Sequence, residues 1–375
     1  MTTEDGSRSA SSALPQDRFA HVYAVLSDAI DRRAFPGCAF GILVGNQVVH
    51  QGALGRFTYD PDAESVISST VYDIASITKV LATTAAAMLL TQRGRLDIDT
   101  PLGELLPGFV VGRPSSERAR LVTIRHLLAH NSGLPGYVEL FRSVNTAEDI
   151  FRASLQLPLG AEPGARAEYS DMGFILLGKA LELLIGESLG NWVSHEVFTP
   201  LGLGATEFTP PHDARIHIPP TEVDSTLRHR RIQGEVQDEH AWLLHGVAGH
   251  AGLFSNVPDL LSFSSAILDN SGDTPLFLKQ TVDLFATRQE PTGSSRALGW
   301  DTPSENSSAG RYFSANSIGH LGYSGCSVWI DLDARIAVTL LTNRTWPDRQ
   351  SQLIREVRPA FHNAVREALL VGNLS

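Results

Sequence analysis

The positions of the strand-forming segments, close to the two ends of the chain, constrain the fold most. Near the N-terminus, "GCAFGILVGNQVVHQGALG" is typical of two strands around a Gly45-Asn46 turn. Near the C-terminus, "GCSVWIDLDARIAVTLLTNR" contains two β-rich runs around residues 331–334. From Ser76 to about Glu290 the pattern is mostly helical, with Gly and Pro punctuation. Strands at both ends with helices between them predict one sheet assembled from the two ends of the chain.

This layout predicts an α+β fold, in which an antiparallel sheet flanked by helices carries a mainly helical inserted lobe. We expect a disordered tail over residues 1–15, which are rich in Ser, Thr and charge, and a single domain over residues 16–375. The sheet lobe comprises about 16–79 and 291–375, and the helical lobe comprises about 80–290. A cleft is expected between the two lobes.

Hydrophobic spacing and capping residues place several helices. A first helix is expected from Asp17 to about Arg33, where apolar residues fall on one face. Thr123 is expected to cap the helix of "VTIRHLLAH", and Gly186 is expected to end the helix of "DMGFILLGKALELLI". A closing helix is expected at about 351–370. The polar, Pro-rich stretch 210–237 predicts a long irregular excursion.

Composition excludes some classes of partner. The net charge of -11 comes from 41 acidic and 30 basic residues, and without a basic stripe we expect no nucleic-acid partner. Cys38 and Cys326 lie far apart in sequence and are expected to be buried free thiols. The first residues lack the basic and apolar regions of a signal peptide, and no apolar run approaches the ~20 residues that span a bilayer. We therefore expect a cytoplasmic protein without membrane segments, although a secreted form with its signal removed would look the same. The oligomeric state stays open.

Ser76 stands three residues before Lys79 in "YDIASITKVLATTAAAMLL". In a helix that begins near Ser76, this spacing puts both side chains on one face, within reach of each other. A serine hydroxyl needs a base to become a nucleophile, and a lysine can be that base if its pKa is lowered. The spacing is also common by chance in helices, so it does not establish chemistry alone.

Two further segments carry polar groups beside strand or helix signals. In "AEPGARAEYSDMGF", Tyr169 could exchange protons with a lysine and a serine, or could simply be core, and Asp171 could cap the following helix. In "IGHLGYSGCSVWID", a strand with small residues after His320 would let a substrate lie against the backbone, or could be a polar turn before a strand.

In this order, the segments resemble the serine β-lactamase and penicillin-binding-protein superfamily. Its members carry S-x-x-K, then Y-x-N, then K-T-G or H-x-G. "LLAHNSGLP" and "GVAGHAGLFSNVPDLLSF" also resemble blocks of its class C β-lactamase-like branch, which includes the family VIII esterases. The resemblance runs from about Phe19 to Glu367 and implies a β-lactamase/transpeptidase-like fold.

The resemblance also implies roles for the matching positions. Ser76 would be the acylated nucleophile, and Lys79 and Tyr169 would be its general-base pair. The oxyanion hole would consist of the backbone N–H groups of Ser76 and Tyr323. The positions expected to contact substrate are Asp171, His320 and Gly322.

Two positions depart from a true class C β-lactamase. Asp171 replaces the Asn of Y-x-N, and a carboxylate cannot donate the hydrogen bond that an amide gives to a substrate. His320 replaces the Lys of K-T-G and is largely neutral near pH 7. Both changes disfavour antibiotic hydrolysis, and H-x-G resembles the esterase-like and peptidase-like members of the branch.

The sequence therefore predicts a serine hydrolase that acts through an acyl-enzyme on carboxylic esters or related acyl compounds. The alternative on the same site is a D-amino-acid peptidase or a β-lactamase. An alternative of another class is a non-catalytic penicillin-binding sensor. The expected partner is a small-molecule ester, amide or lactam, and no cofactor is expected.

No metal site is expected. His240, His245 and His250 are spaced five residues apart, which puts them on no common helical or strand face. His250 is expected to pack or to hydrogen-bond near the cleft, and His130 with Asn131 is expected to be structural.

Overall fold

A computed structural model describes residues 16–113, 116–269 and 274–370, so the predicted tail lies outside the described residues. The strands are β1 (Gly37–Val44), β2 (Gln47–Gly55), β3 (Tyr72–Asp73), β4 (Glu207–Phe208), β5 (Glu222–Asp224), β6 (Arg230–Ile232), β7 (Leu253–Ser255), β8 (Ser317–Leu321), β9 (Ser327–Asp331) and β10 (Ile336–Thr342).

The α-helices are α1 (Ala20–Asp31), α2 (Ala85–Gln92), α3 (Leu102–Leu105), α4 (Ser116–Arg120), α5 (Ile124–Leu128), α6 (Ala147–Leu155), α7 (Asp171–Ile185), α8 (Leu189–Val193), α9 (Thr199–Leu201), α10 (Glu239–Leu243), α11 (Val257–Leu268), α12 (Lys279–Ala286) and α13 (Ile354–Leu370). Short 3₁₀ turns occur at Gln16–Phe19, Ala75–Ile77, Pro107–Phe109, Leu140–Arg142 and Arg215–His217, and π-helical turns occur at Lys79–Thr84 and Ser194–Phe198.

The two ends of the chain build one antiparallel sheet of five strands, in the order β2-β1-β10-β9-β8. Pairing of β1 with β10 joins the two chain ends and places Cys38 opposite Thr342. β8 forms one edge of the sheet, where His320 pairs with Val328 of β9. The predicted α+β fold and the assembly of its sheet from both ends are confirmed.

The central strands are buried on both faces, which explains their nearly continuous apolar sequence. Alternate side chains of β1 point to opposite sides. Phe40 and Ile42 pack in one hydrophobic cluster with residues of α1 and α13, whereas Ala39 and Leu43 pack in a second cluster with α11. The sheet is therefore a middle layer between helices.

Several local predictions are confirmed. The strands β1 and β2 meet at a turn in which Gly45 has a φ of 60°, a conformation that glycine adopts without strain. Thr123 caps α5, because its Oγ1 accepts a hydrogen bond from the N–H of His126. Gly186 ends α7 with a φ of 89°. Both cysteines are buried and free.

Other predictions need correction. The cap of α7 is Ser170, whose side chain accepts a hydrogen bond from the N–H of Gly173, and Asp171 is the first residue of the helix. A second, small sheet, β3-β7-β4, joins a strand that precedes Ser76 to two strands from the middle of the chain, and its strands are too short to show a periodic pattern. The excursion at 210–237 is not wholly irregular, because β5 and β6 pair within it.

The larger hydrophobic cluster extends from the sheet into the helical region. It contains Ala39 and Leu341 from the sheet together with Leu127 and Leu176 from helices of the middle segment. Within the described ranges, no helix has the length and apolar character needed to cross a bilayer.

Candidate active site

Ser76 lies on a strained turn directly after β3. Its neighbour Ala75 has a φ of 48°, which is unfavourable for a residue with a side chain. The carboxylate of Asp73 accepts a hydrogen bond from the N–H of Ala75 at 2.8 Å. Thr78 Oγ1 donates to the carbonyl of Ala75 at 2.6 Å and accepts from the N–H of Leu253 in β7 at 3.1 Å. These contacts hold the turn on the small sheet, at the wall of a cleft.

Lys79 is fully buried beneath Ser76. Its Nζ lies 3.0 Å from Ser76 Oγ, as the i, i+3 spacing predicts. The same ammonium donates to Asp171 Oδ1 at 2.6 Å and to the carbonyl oxygen of His250 at 3.0 Å. Its three hydrogens thus have three acceptors, which fixes the position of the nitrogen.

The charge state of Lys79 follows from these neighbours. Burial by itself lowers the pKa of Lys79, but the charge of Asp171 and the hydrogen bonds to Asp171 and Tyr169 outweigh burial and leave the pKa raised. Lys79 is therefore an ammonium in the resting protein. The ion pair with Asp171, whose side chain is 19% exposed, was missed in the sequence analysis, which gave this residue a substrate contact or a cap.

Tyr169 lies next to the lysine, whose Nζ is 4.9 Å from the centre of the tyrosine ring. Burial raises the pKa of Tyr169, although Lys79 and a hydrogen bond with Ser76 act in the opposite direction. His130 holds this segment, because its ring lies 4.6 Å from that of Tyr169 and its Nδ1 accepts from the N–H of Ser170 at 3.0 Å. Tyr169 is therefore a neutral phenol in a fixed position.

His320 and Gly322 lie at the end of the edge strand β8. His320 is buried, and its Nδ1–H donates to the carbonyl of Leu321 at 2.9 Å. Burial and the charges of Lys79 and Arg296 hold the pKa of His320 well below its usual range, so the ring is neutral. Gly322 has both backbone groups engaged, with its N–H on the carbonyl of Cys326 at 2.7 Å. The contribution of Gly322 is a close approach, since a Cβ there would lie 2.5 Å from the carbonyl of Ile74.

Tyr323 lines the cleft beside the turn that carries Ser76. Arg344 Nε donates to its carbonyl at 2.8 Å. Ser324 Oγ donates to the carbonyl of Asp73 at 2.7 Å, which ties the segment after β8 to the segment before Ser76. The structure thus brings together the expected nucleophile, its expected base pair and the end of the edge strand.

A protein-family model described as Beta-lactamase matches residues 22–359, nearly the whole described chain. The chain belongs to the beta-lactamase family. Membership makes it an enzyme of the serine hydrolase class, as the resemblance predicted.

Curated relatives of this beta-lactamase-family enzyme carry hydrolase names. An N-acetylmuramyl-L-alanine amidase of Bacillus subtilis (strain 168) is 28% identical over 83% of this chain and 77% of its own length. A putative D-alanyl-D-alanine carboxypeptidase of Salmonella typhi is 29% identical over 83% of this chain and 79% of its own length. The fold is shared with a solved structure of EstCE1, a hydrolase with promiscuous acyltransferase activity, at a TM-score of 0.74 and 23% identity, over 92% of this chain and 99% of that one.

The cleft of this beta-lactamase-family enzyme has a volume of about 770 Å³, which suits a small-molecule ligand. Charged side chains of both signs line it: Arg142, Arg296, Arg344, Arg349, Arg355 and Arg358, with Asp73, Glu139, Asp171, Asp238, Glu239 and Asp301. Arg296 lies 5.2 Å from the centre of the Tyr169 ring, and its nearest carboxylate, that of Asp301, is 3.7 Å away. Sequence analysis missed Arg296, because no local pattern marks a residue that reaches the cleft from a loop.

The three histidines of the 240–250 segment do not all lie together in the fold. His240 and His250 lie together with Asp238 on one side of the cleft, whereas His245 is exposed.

Proposed function

We propose that the enzyme hydrolyses carboxylic esters or related acyl compounds through an acyl-enzyme on Ser76. The observation that carries the proposal is the placement of Ser76 Oγ 3.0 Å from the buried Lys79 Nζ, beside Tyr169 and open to the cleft. A serine needs such a partner to lose its proton during attack.

In the first step, Ser76 Oγ forms a bond to the acyl carbon and its proton passes to the Lys79–Tyr169 pair. The bond from the acyl carbon to the leaving oxygen or nitrogen then breaks, and the pair returns the proton to the leaving group through the Tyr169 phenol. In the second step, water attacks the acyl carbon of the ester on Ser76. The bond from that carbon to Ser76 Oγ breaks, the carboxylic acid leaves, and a proton of the water restores the serine hydroxyl. Because Asp171 raises the pKa of Lys79, the minority of molecules with a neutral lysine carries out the first step.

The negative charge on the acyl oxygen needs hydrogen-bond donors. The backbone N–H groups of Ser76 and Tyr323 are our proposed oxyanion hole, supported by the contacts that hold the two segments together. Asp171 and His320 are expected to meet substrate at the two sides of the acyl group, and Gly322 lets the strand approach closely.

A second candidate is a D-amino-acid peptidase that uses the same site. Arg296 favours it, because this cation borders Tyr169 and has its nearest carboxylate 3.7 Å away, so it can bind the terminal carboxylate of a peptide. The amidase and carboxypeptidase names of the relatives point the same way. Hydrolysis of β-lactams is disfavoured by Asp171 in place of an amide and by a neutral His320.

The test is a panel of p-nitrophenyl esters, D-alanyl dipeptides and a chromogenic cephalosporin, run with wild type and Ser76→Ala. We expect ester turnover well above cephalosporin turnover, an acyl adduct on wild type by mass spectrometry, and neither turnover nor adduct with Ser76→Ala. Higher kcat/KM for the dipeptides would favour the peptidase. A stoichiometric burst without turnover would identify a penicillin-binding sensor, and activity retained by Ser76→Ala would contradict the acyl-enzyme.

A further inference from the structure

Asp238, His240 and His250 form a cluster on one side of the cleft, outside the residues that the proposed reaction uses. One ligand atom from each of the three side chains lies within 4.8 Å of the other two. Asp238 caps α10, His240 is the second residue of that helix, and His250 belongs to a glycine-rich loop. The fold, rather than the sequence spacing, brings the two histidines together.

The two histidines are buried without the partners that buried rings usually have. His240 is 0% exposed and His250 is 1% exposed. Neither ring nitrogen of His240 meets hydrogen-bond geometry with a described residue, and neither does Nδ1 of His250. The backbone carbonyl of Val138 is close enough to His240 to accept a weak hydrogen bond, but the contact falls short of good hydrogen-bond geometry. Leaving a buried polar group unpaired costs about 1–3 kcal/mol, so such groups require an explanation.

A hydrogen bond between His250 and Asp238 explains only part of this arrangement. His250 Nε2 lies 2.8 Å from Asp238 Oδ1, and a clamp of this kind would fix the loop by itself. It makes no use of His240, which lies instead against the rings of Tyr137 and Phe141, with ring centres 5.2 and 5.3 Å apart. A second imidazole in an aromatic wall, facing a carboxylate and another imidazole, is the kind of donor set that binds a transition metal.

We infer that Asp238, His240 and His250 bind a divalent transition metal of the zinc class. Two imidazole nitrogens and one carboxylate oxygen are a common ligand set for zinc, and three protein ligands leave a coordination position for water or for a group on a ligand. Ligands of tetrahedral zinc lie about 3.4 Å apart, and the three candidate ligand atoms already lie within 4.8 Å of one another.

The surroundings suit such an ion. Asp238 lines the cleft, and its side chain is 21% exposed, which gives the ion a path from solvent. The nearby ammonium of Lys79 is paired with Asp171 and so does not oppose a second cation. The same ammonium donates to the carbonyl of His250, so a metal on the His250 side chain would also stiffen the loop that holds Lys79.

The experiment uses the full-length protein, stripped with a chelator, dialysed, and titrated with Zn²⁺ by calorimetry. We expect one equivalent to bind to wild type and to raise its melting temperature, because a ligand of the folded state stabilises it. His240→Phe should bind at least about 100-fold more weakly, since loss of a ligand costs more than loss of an outer partner. His245→Ala is the matched control from the same segment and should bind like wild type.

Co²⁺ provides a second measurement, because nitrogen and oxygen ligands in a tetrahedral site give intense visible bands. If His240→Phe fails to fold, His250→Gln still tests the site, because it leaves the packing of His240 against Tyr137 and Phe141 unchanged. Absence of saturable binding to wild type would overturn the inference, and so would His240→Phe and His250→Gln variants that bind the metal as tightly as wild type does. Loss of binding in His245→Ala would show that surface histidines bound the metal and would also overturn it.

Discussion

At the scale of single residues, the carboxylate of Asp171 determines which form of Lys79 is present. It accepts a hydrogen bond from Lys79 Nζ at 2.6 Å in a buried setting, where a charge pair is screened little by water. Burial alone would lower the pKa of Lys79, and Asp171, together with Tyr169, reverses that effect. Asp171, the first residue of α7, thus makes Lys79, the proposed base, harder to deprotonate.

Asp171→Asn should therefore move the pH dependence of the enzyme. Removal of the carboxylate takes away the largest influence that raises the pKa of Lys79, so this pKa falls, and the acidic limb of kcat/KM for a p-nitrophenyl ester should shift to lower pH. Asp149→Asn changes another first-turn aspartate, that of α6, and should leave the profile where it is in wild type. An unchanged limb in Asp171→Asn would mean that Lys79 is not the group whose deprotonation limits the reaction.

At the scale of elements, the close approach of β8 to the turn of Ser76 depends on Gly322. A Cβ at this position would lie 2.5 Å from the carbonyl oxygen of Ile74. Because that oxygen belongs to the backbone, the backbone itself would have to move to relieve the clash. Gly322→Ala should separate the two proposed oxyanion donors and lower kcat by about 10²–10³, the usual cost of losing one donor. Gly204→Ala, where a Cβ meets open space, should keep wild-type kcat. Full activity of Gly322→Ala in a steady-state assay would contradict this role of the strand end.

The excursion at 210–237 is anchored by a buried ion pair. Arg228 and Asp224 have side chains only 1% exposed, with Nε 2.8 Å from Oδ2. Arg228 also donates to the carbonyl of Gln237, whose N–H reaches Asp73 beside the Ser76 turn. Arg228→Met leaves a buried carboxylate unpaired and should lower the free energy of unfolding by about 3–5 kcal/mol.

Urea unfolding measures this loss of stability, and its pH dependence shows whether the charge of Asp224 is responsible. Burial raises the pKa of Asp224, but Arg228 and neighbouring N–H groups outweigh burial and hold it far below its usual range. The pair therefore contributes its full stabilisation at pH values above the usual carboxyl pKa. That contribution is lost as the pH falls from the usual carboxyl pKa through the lowered pKa of Asp224 in the folded protein. Arg230→Met breaks an exposed pair with Glu235 and should cost at most about 1 kcal/mol. Equal losses in the free energy of unfolding for Arg228→Met and Arg230→Met would contradict the proposal that the Arg228–Asp224 pair anchors this segment.

At the scale of the whole molecule, we propose that residues 16–375 unfold as one domain with two lobes. The larger hydrophobic cluster contains residues of the sheet, such as Leu341, and of the helical region, such as Leu176, so neither lobe has that core to itself. Urea transitions followed by tryptophan fluorescence and by far-ultraviolet circular dichroism should coincide. Two separate midpoints would show that the lobes unfold independently.

Local patterns were enough to predict much of the fold. The β1–β2 hairpin, the Thr123 cap and the end of α7 at Gly186 depend on residues adjacent in sequence, so the sequence displays them. The spacing of Ser76 and Lys79 within one helical turn likewise determined their contact. The conformation of a turn or a cap is decided by a few neighbouring residues, and those are visible in the printed chain.

Tertiary structure alone decided the partners of these residues. Lys79 and Asp171 are 92 positions apart, and the contact between them required α7 to pack against the helix that follows Ser76. Arg296 reaches the cleft from a loop, and His240 meets His250 through the fold of a glycine-rich segment. Such contacts depend on the packing of distant elements, and no periodicity records which side chains that packing will bring together.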